Sequence, residues 1–186
     1  MSRPVFTVHT TDTASAAGRQ IMAAVERKQG HLPAAVALLA ESPELLKGFF
    51  AATAAFDSTD LDPVAREVVV LTVAARNECH LCLAMHTATL TGLGGAPELI
   101  EALRDGRELP EPRLAALHRF TLAVLDHRGA VPDHELDALL AAGWKPRHAL
   151  DVVLGVGAYT ISTFANRLVD APLDPALAPY AWEPAA

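Results

Sequence analysis

Two cysteines stand three residues apart in the stretch NECHLCLAMH, residues 77–86, and a histidine follows four residues after the second. Cys79 and Cys82 are the only cysteines of the 186-residue chain. Side chains three and four positions apart share one helix face, so Cys79, Cys82 and His86 can meet one substrate. Helical residues three apart have Cα atoms about 5 to 5.5 Å from each other, a separation that a disulfide can bridge. The spacing therefore predicts a dithiol that cycles between reduced and disulfide forms, with His86 as its proton acceptor.

The residues around the cysteines predict which thiol ionises. Asn77 is a typical N-cap residue, and this position would place Cys79 in the first turn of a helix, with Cys82 one turn further. The positive end of the helix favours a thiolate there. Glu78 carries a negative charge beside Cys79 and should oppose the ionisation of that thiol. We therefore expect Cys82 to be the nucleophile.

A carboxylate interrupts the apolar run PVAREVVVLTVAAR, residues 63–76, at Glu67. If this helix packs beside the helix of the cysteines, Glu67 reaches His86 directly or through a water. It would then hold the imidazole and pass on its proton. Taken alone, Glu67 would be read as a solvated position or half of an ion pair, so its role depends on the neighbouring motif.

The elements that must position these residues are predicted to be helices. Helical spacing of apolar residues dominates, and no segment alternates convincingly between apolar and polar residues. The pairs Ser42–Pro43 and Asp62–Pro63 are typical of helix starts. The predicted helices are 13–28, 33–41, 43–56, 63–76, 78–91, 96–104, 111–127, 133–142 and 145–169. The fold class is therefore all-α.

Composition limits the function classes. The formal net charge of -7 and the lack of a basic cluster argue against a nucleic-acid partner. The start of the chain has no apolar segment typical of an export signal, so we expect a reducing cytoplasm. The uncharged stretch 152–166 is shorter than the roughly 20 residues of a membrane span and predicts a buried helix rather than a membrane anchor. With 51% hydrophobic residues, the chain is expected to form a homo-oligomer, whether dimer, trimer or hexamer.

The motif resembles the helical proteins related to the alkyl hydroperoxidase AhpD and to carboxymuconolactone decarboxylase. The redox branch of that family has a Glu, then C-x-x-C, then a His four residues on, which matches Glu67, Cys79, Cys82 and His86. The segments 31–50, 147–168 and 171–175 are also similar to the family's peroxidase-related members, so the resemblance covers about residues 30–175. It implies a single AhpD-like helical bundle over residues 1–186, with an N-terminal extension and a proline-rich C-terminal tail that packs as an irregular strap.

The resemblance also implies an activity and a role for each residue. Cys82 would attack a hydroperoxide, His86 would take its proton, Glu67 would be the relay partner through water, and Cys79 would resolve the sulfenic acid to a disulfide. An external dithiol would reduce that disulfide, with no cofactor and no metal. The best-studied motif of the family has a His immediately before the second Cys; this chain has Leu81 there, and His80 one position earlier is left as an accessory candidate.

Other interpretations stay open at this stage. The cysteines and nearby histidines could bind zinc, although His80 points away from the common face, or the two thiols could be inert core residues. A decarboxylase-like enzyme without redox turnover and a dithiol redox sensor are the two rival functions. Asn166 either joins a buried polar network near the site or makes an ordinary bond between helices. The remaining histidines show no ligand spacing and are interpreted as surface residues: His9, His31, His118, His127, His134 and His148.

Overall fold

The computed structural model describes residues 5–183, and within this range the regular structure consists of nine α-helices and one short 3₁₀ helix, with no strand. The α-helices are α1 (Ala16–Gln29), α2 (Ala34–Leu39), α3 (Pro43–Asp57), α4 (Pro63–Arg76), α5 (His80–Gly92), α6 (Pro97–Arg104), α7 (Pro112–Asp126), α8 (Asp133–Ala141) and α9 (Pro146–Leu168), and the 3₁₀ helix is Pro175–Tyr180. The all-α prediction is confirmed, and each predicted helix end lies within three residues of the observed one.

The helix starts follow the capping signals of the sequence. The Ser42 hydroxyl accepts a hydrogen bond from the Leu45 N–H at 3.3 Å, and the Asp62 carboxylate accepts one from the Ala65 N–H at 2.9 Å. In both cases a proline occupies the first helical turn, where its missing N–H leaves no intrahelical bond unmade. These local bonds set where α3 and α4 begin.

Helix α4 is the centre of the bundle and packs against α5, α7 and α9, while α3 lies along α9. Nine of its residues are buried, including Glu67. Helix α9 lies close to its neighbours at Gly155, where an added Cβ would lie 2.7 Å from the Phe56 ring and 3.0 Å from Val69. This glycine therefore lets α9 approach α3 and α4 closely, which brings the second half of α9 to the cysteines.

Helix α1 and the 3₁₀ helix also pack against this bundle. Helix α1 packs against α3, and the C-terminal strap packs against α5. The Arg104 guanidinium donates hydrogen bonds to Thr87 and to the backbone carbonyls of Tyr180 and Ala181, while the Trp182 indole N–H donates to the Arg104 carbonyl. The strap differs from the predicted irregular segment because it includes the 3₁₀ helix.

Helix α9 is longer than the uncharged stretch that marked it in the sequence. With 23 residues and a mean hydropathy of 1.2 over its most apolar window, it is long and apolar enough to cross a membrane by length and composition alone. Because 44% of that window is buried against the other helices, α9 is equally well explained as a core helix.

Two histidines assigned to the surface are buried, so that interpretation was wrong for them. His118 is 5% exposed, and its Nδ1–H donates to the Thr72 hydroxyl at 2.8 Å. His148 is also 5% exposed; its Nδ1 accepts from the Lys145 N–H, and its Nε2 bonds Asp60 at 3.0 Å. Each imidazole makes a hydrogen bond to a polar residue of a distant segment, which the local sequence pattern does not show. Burial also lowers the pKa of His118.

Candidate active site

The two cysteines lie at the start of α5, which begins two residues later than predicted. Asn77 is not the N-cap; it ends α4, and Glu78 then takes a left-handed conformation with φ 50°. The Cys79 N–H still bonds the Ala74 carbonyl of α4 at 2.9 Å. Cys79 is therefore the N-cap of α5, and its Sγ accepts a hydrogen bond from the Cys82 N–H at 3.4 Å.

The thiols form a reduced, buried pair. The Sγ atoms are 2.8 Å apart, and each cysteine is 1% exposed. Two side chains of α9 complete the surroundings of Cys82: the Asn166 amide donates to its Sγ at 3.4 Å, and the Ser162 hydroxyl lies 3.7 Å from it. Each of these groups can donate a hydrogen bond to an anionic sulfur.

The surroundings make the two thiols unequal. The hydrogen bond from Cys79 is the largest cause that lowers the pKa of Cys82, and burial acts in the opposite direction. The hydrogen bonds from Asn166 and Ser162 and the charge of His86 lower the pKa further, to about 6. The same hydrogen bond, together with burial and the Cys82 charge, raises the pKa of Cys79 far above its usual value. The contact therefore favours a Cys82 thiolate that accepts a hydrogen bond from a Cys79 thiol.

The expected asymmetry has a different cause from the one inferred from the sequence. Glu78 was expected to hold Cys79 protonated, but its side chain is 61% exposed and lies 3.5 Å from the Arg167 guanidinium. Arg167 also donates to the Asn77 carbonyl. The proton stays on Cys79 because a second sulfur lies beside it, and not because of the neighbouring carboxylate.

Glu67 and His86 are in direct contact across α4 and α5. The His86 Nδ1 lies 2.8 Å from the Glu67 Oε2, and the side chains are 12% and 11% exposed. Burial lowers the pKa of His86, but the hydrogen bond and charge of Glu67, with the charge of Cys82, outweigh it and raise the pKa above 6.5. Within the described chain His86 makes no hydrogen bond to either thiol, and its Nε2 remains free for a substrate or a water.

An aromatic residue of α9 borders this pair. The Tyr159 ring meets the His86 ring edge-on, with centroids 5.1 Å apart, and Phe49 and Phe56 lie against Tyr159. Burial and the nearby Glu67 charge raise the pKa of Tyr159, so its hydroxyl stays protonated. The side of the site next to His86 is therefore apolar and aromatic.

His80 is the candidate that the structure does not join to the cluster. It is the first residue of α5, partly buried, and it makes no hydrogen bond to the thiols, to Glu67 or to His86. Leu81, at the position of the family's accessory His, is buried at 3% exposure. Nothing in the observed contacts supports an accessory role for His80.

Two residues at the site have weaker signals in the sequence. Ser162 was not identified, and Asn166 was identified only as one of two alternatives. Both belong to the uncharged stretch of α9 and stand four residues apart, so a pair of polar residues on one face of an apolar helix was the available signal. That signal alone does not show which helix they face.

A metal-binding arrangement lies elsewhere in the described range. Between residues 5 and 183, the only three potential metal ligands with donor atoms within 4.8 Å of one another are Asp60, His148 and Asp151. The Arg147 guanidinium lies 3.2 Å from Asp60 and 4.0 Å from Asp151, so a protein cation already lies against both carboxylates. In the same range, the donor atoms of Cys79, Cys82 and His86 do not all lie within 4.8 Å of one another.

Comparison with known proteins gives a consistent result. Residues 40–125 match the model of the carboxymuconolactone decarboxylase family. That segment contains α3 to α6, most of α7, and both partners of the Glu67–His86 pair. No curated protein matches the chain.

Solved structures share the whole fold. A peroxidase-related protein from Ralstonia eutropha JMP134, described as an alkylhydroperoxidase AhpD core, is 24% identical, with a TM-score of 0.81 over 95% of this chain and 94% of that one. A peroxidase-related protein from Silicibacter sp. TM1040 is 18% identical, with a TM-score of 0.79 over 95% and 93%. The debrominase Bmp8, solved as a cysteine-to-alanine variant with 2,3,4-tribromopyrrole, is 12% identical, with a TM-score of 0.75 over 97% and 96%.

Proposed function

We propose that this chain, which matches the carboxymuconolactone decarboxylase family model over residues 40–125 and has the AhpD-like fold, is a thiol-dependent peroxidase that reduces alkyl hydroperoxides through Cys82 and Cys79. One observation carries the proposal: a protonated thiol lies 2.8 Å from a thiol whose pKa is lowered to about 6. An ionised nucleophile and a resolving thiol in contact are the two groups that this chemistry needs.

The reaction begins at Cys82. Its thiolate attacks the terminal oxygen of the hydroperoxide, so an S–O bond forms, the O–O bond breaks, and the alkoxide leaves and takes a proton to become an alcohol. The sulfur of Cys82 is oxidised to a sulfenic acid. Cys79 then loses its proton and attacks that sulfur, and water leaves as the disulfide forms. An external dithiol restores both thiols and becomes a disulfide itself.

The Glu67–His86 pair supplies and accepts protons in this scheme. Glu67 raises the pKa of His86 and so favours its imidazolium form, which can donate a proton to the departing alkoxide; the neutral imidazole that remains can then accept the Cys79 proton. Since His86 makes no hydrogen bond to either thiol, the transfer runs through the substrate or through one water. Glu67 bonds Nδ1 and so directs Nε2 to this task.

Two rival functions make different demands on the cysteines. A decarboxylase-like enzyme working by acid and base chemistry would keep full activity in a chain with both Cys79→Ser and Cys82→Ser. A redox sensor would form the disulfide but show negligible steady-state turnover with a dithiol reductant. The buried thiol pair, which acid and base chemistry does not require, favours redox chemistry over the decarboxylase-like enzyme. Steady-state turnover with a dithiol reductant then separates the peroxidase from the sensor.

Mass spectrometry tests the proposed function directly. One equivalent of tert-butyl hydroperoxide should remove two hydrogens from the protein, and a dithiol should restore them. Cys82→Ser should show no such change, whereas Cys79→Ser should gain one oxygen on Cys82 and stall as the sulfenic acid. A parent chain that keeps its mass after hydroperoxide treatment would refute the proposal.

We also propose that the protein acts in the cytoplasm as a homo-oligomer, with a second copy covering the outer face of α9. Five apolar side chains form a stripe there and are 37% to 72% exposed: Leu150, Val153, Ile161, Phe164 and Leu168. Together they leave roughly 500 Å² exposed, at the upper end for a monomer patch. An apolar groove beside them, lined by Phe6 and Leu45 among others, extends this surface toward the roughly 800 Å² per partner of a stable interface.

A further inference from the structure

The carboxamide of Asn166 is buried beside the reactive sulfur with half of its hydrogen-bonding capacity unused. The residue is 4% exposed. Its Nδ2 donates to the Cys82 Sγ at 3.4 Å and to the Ser162 Oγ at 3.3 Å. Its Oδ1 is buried and has no hydrogen-bond partner in the described chain.

The charge on Cys82 determines which end of the amide faces the sulfur. An ionised sulfur attracts the N–H end and repels the lone pairs of the oxygen end, so Nδ2 faces Sγ. Ser162 is consistent with this orientation, because its hydroxyl can donate to the sulfur while accepting from Nδ2. Oδ1 is therefore left as an acceptor without a donor.

An unpartnered acceptor in a buried site requires an explanation, because desolvation without a replacement bond is unfavourable. Oδ1 shares its carbon atom with Nδ2, so it lies at most about 2.3 Å further from the sulfur than the observed Nδ2 contact. A small molecule positioned for attack by Cys82 would fall within reach of this oxygen. The atom that Cys82 attacks in a hydroperoxide carries an O–H, which is the donor that Oδ1 lacks.

We propose that the Asn166 Oδ1 is a substrate subsite that accepts the terminal O–H of an alkyl hydroperoxide, an inference that rests on the proposed function. One amide then aligns both reactants, with Nδ2 on the attacking sulfur and Oδ1 on the hydrogen of the attacked oxygen. When the S–O bond forms and the O–O bond breaks, that hydrogen stays on the transferred oxygen. The sulfenic acid of Cys82 therefore keeps the same hydrogen bond until Cys79 attacks and water leaves. Peroxides that lack an O–H cannot use this subsite.

The test separates the two functions of the amide by pH. In a Cys79→Ser background only Cys82 reacts, and its rate is measured with tert-butyl hydroperoxide and with methyl methanethiosulfonate, a thiol reagent without a hydrogen-bond donor. Asn166→Leu removes both Nδ2 and Oδ1. Ser162→Ala is the matched control, because it also removes a contact of the Cys82 sulfur but leaves Oδ1 in place.

Near pH 6.5 both variants should react more slowly with both reagents, since less thiolate is present. Well above the thiol pKa, ionisation is complete and the thiosulfonate rates should return to that of the parent. The hydroperoxide rate should also recover in Ser162→Ala, but should stay about 2- to 10-fold low in Asn166→Leu, the usual effect of one lost hydrogen bond. Asn166→Ala should show the same deficit if Asn166→Leu fails to fold.

Recovery of the Asn166→Leu and Asn166→Ala hydroperoxide rates to the Ser162→Ala level at high pH would overturn this inference alone. A parent chain that reacts with the thiosulfonate but at no pH with hydroperoxide would overturn the proposed function, and the subsite with it.

Discussion

Removal of the Cys79 thiol should make Cys82 a weaker acid. The hydrogen bond from Cys79 is the largest cause of the lowered Cys82 pKa, and the two sulfur atoms are 2.8 Å apart with almost no exposure. A hydrogen bond to a charged group contributes about 1.5 to 3 kcal/mol, which corresponds to about 1 to 2 pKa units. In Cys79→Ala we therefore expect the pKa of Cys82 to rise from about 6 to about 7 to 8.

The effect on reactivity should be large near the original pKa. At pH 6.5 a thiol with a pKa of 6 is about three quarters ionised, whereas one with a pKa of 7.5 is about one tenth ionised. The rate of iodoacetamide alkylation at Cys82 should therefore fall about eightfold at this pH and recover as the pH approaches 9. Mass spectrometry of the Cys82 peptide over pH 4 to 10 measures the apparent pKa.

Cys79→Ser is the matched variant, because a hydroxyl can donate the same hydrogen bond. Its Cys82 pKa should stay closer to that of the parent than the pKa in Cys79→Ala. Equal values in the serine and alanine variants, or a Cys82 pKa in Cys79→Ala that matches the parent, would refute the view that the Cys79 proton stabilises the thiolate.

Three further outcomes are expected. Glu67→Gln removes the carboxylate that raises the pKa of its histidine partner, so NMR titration should show that imidazole pKa falling, and an unchanged value would contradict the contact. Gly155→Ala should lower the free energy of unfolding by about 1 to 3 kcal/mol because its Cβ overlaps a phenylalanine ring, whereas Gly48→Ala in α3, with open space around the Cβ, should raise it by about 0.5 to 1 kcal/mol; urea denaturation compares them. Phe164→Glu should reduce the mass in light scattering to the 19.7 kDa of one chain, while the control Leu93→Glu should leave the oligomer intact; an unaltered mass in Phe164→Glu would exclude the α9 interface.

The sequence determined the features that depend on neighbours along the chain. Helix periods, the N-caps at Ser42 and Asp62 and the placement of two thiols and an imidazole on α5 all arise from residues within about one turn of each other. The capping error at Asn77 shows the limit of this reasoning. Asn77 does mark a helix boundary, but it is the C-cap of α4 and not the N-cap of α5. Helix α5 therefore begins two residues later than the pattern implies.

Only the tertiary structure decided what surrounds the Cys82 sulfur. Ser162 and Asn166 are 80 and 84 residues from it in sequence, and they reach it because α9 packs against α4 closely enough at Gly155. The burial of His118 likewise depends on Thr72 of another helix. Apolar periodicity tells which face of a helix is buried but not which partner that face meets, so the hydrogen bonds that shift the thiol pKa values, and the unpartnered Asn166 oxygen, arise only once the helices have packed.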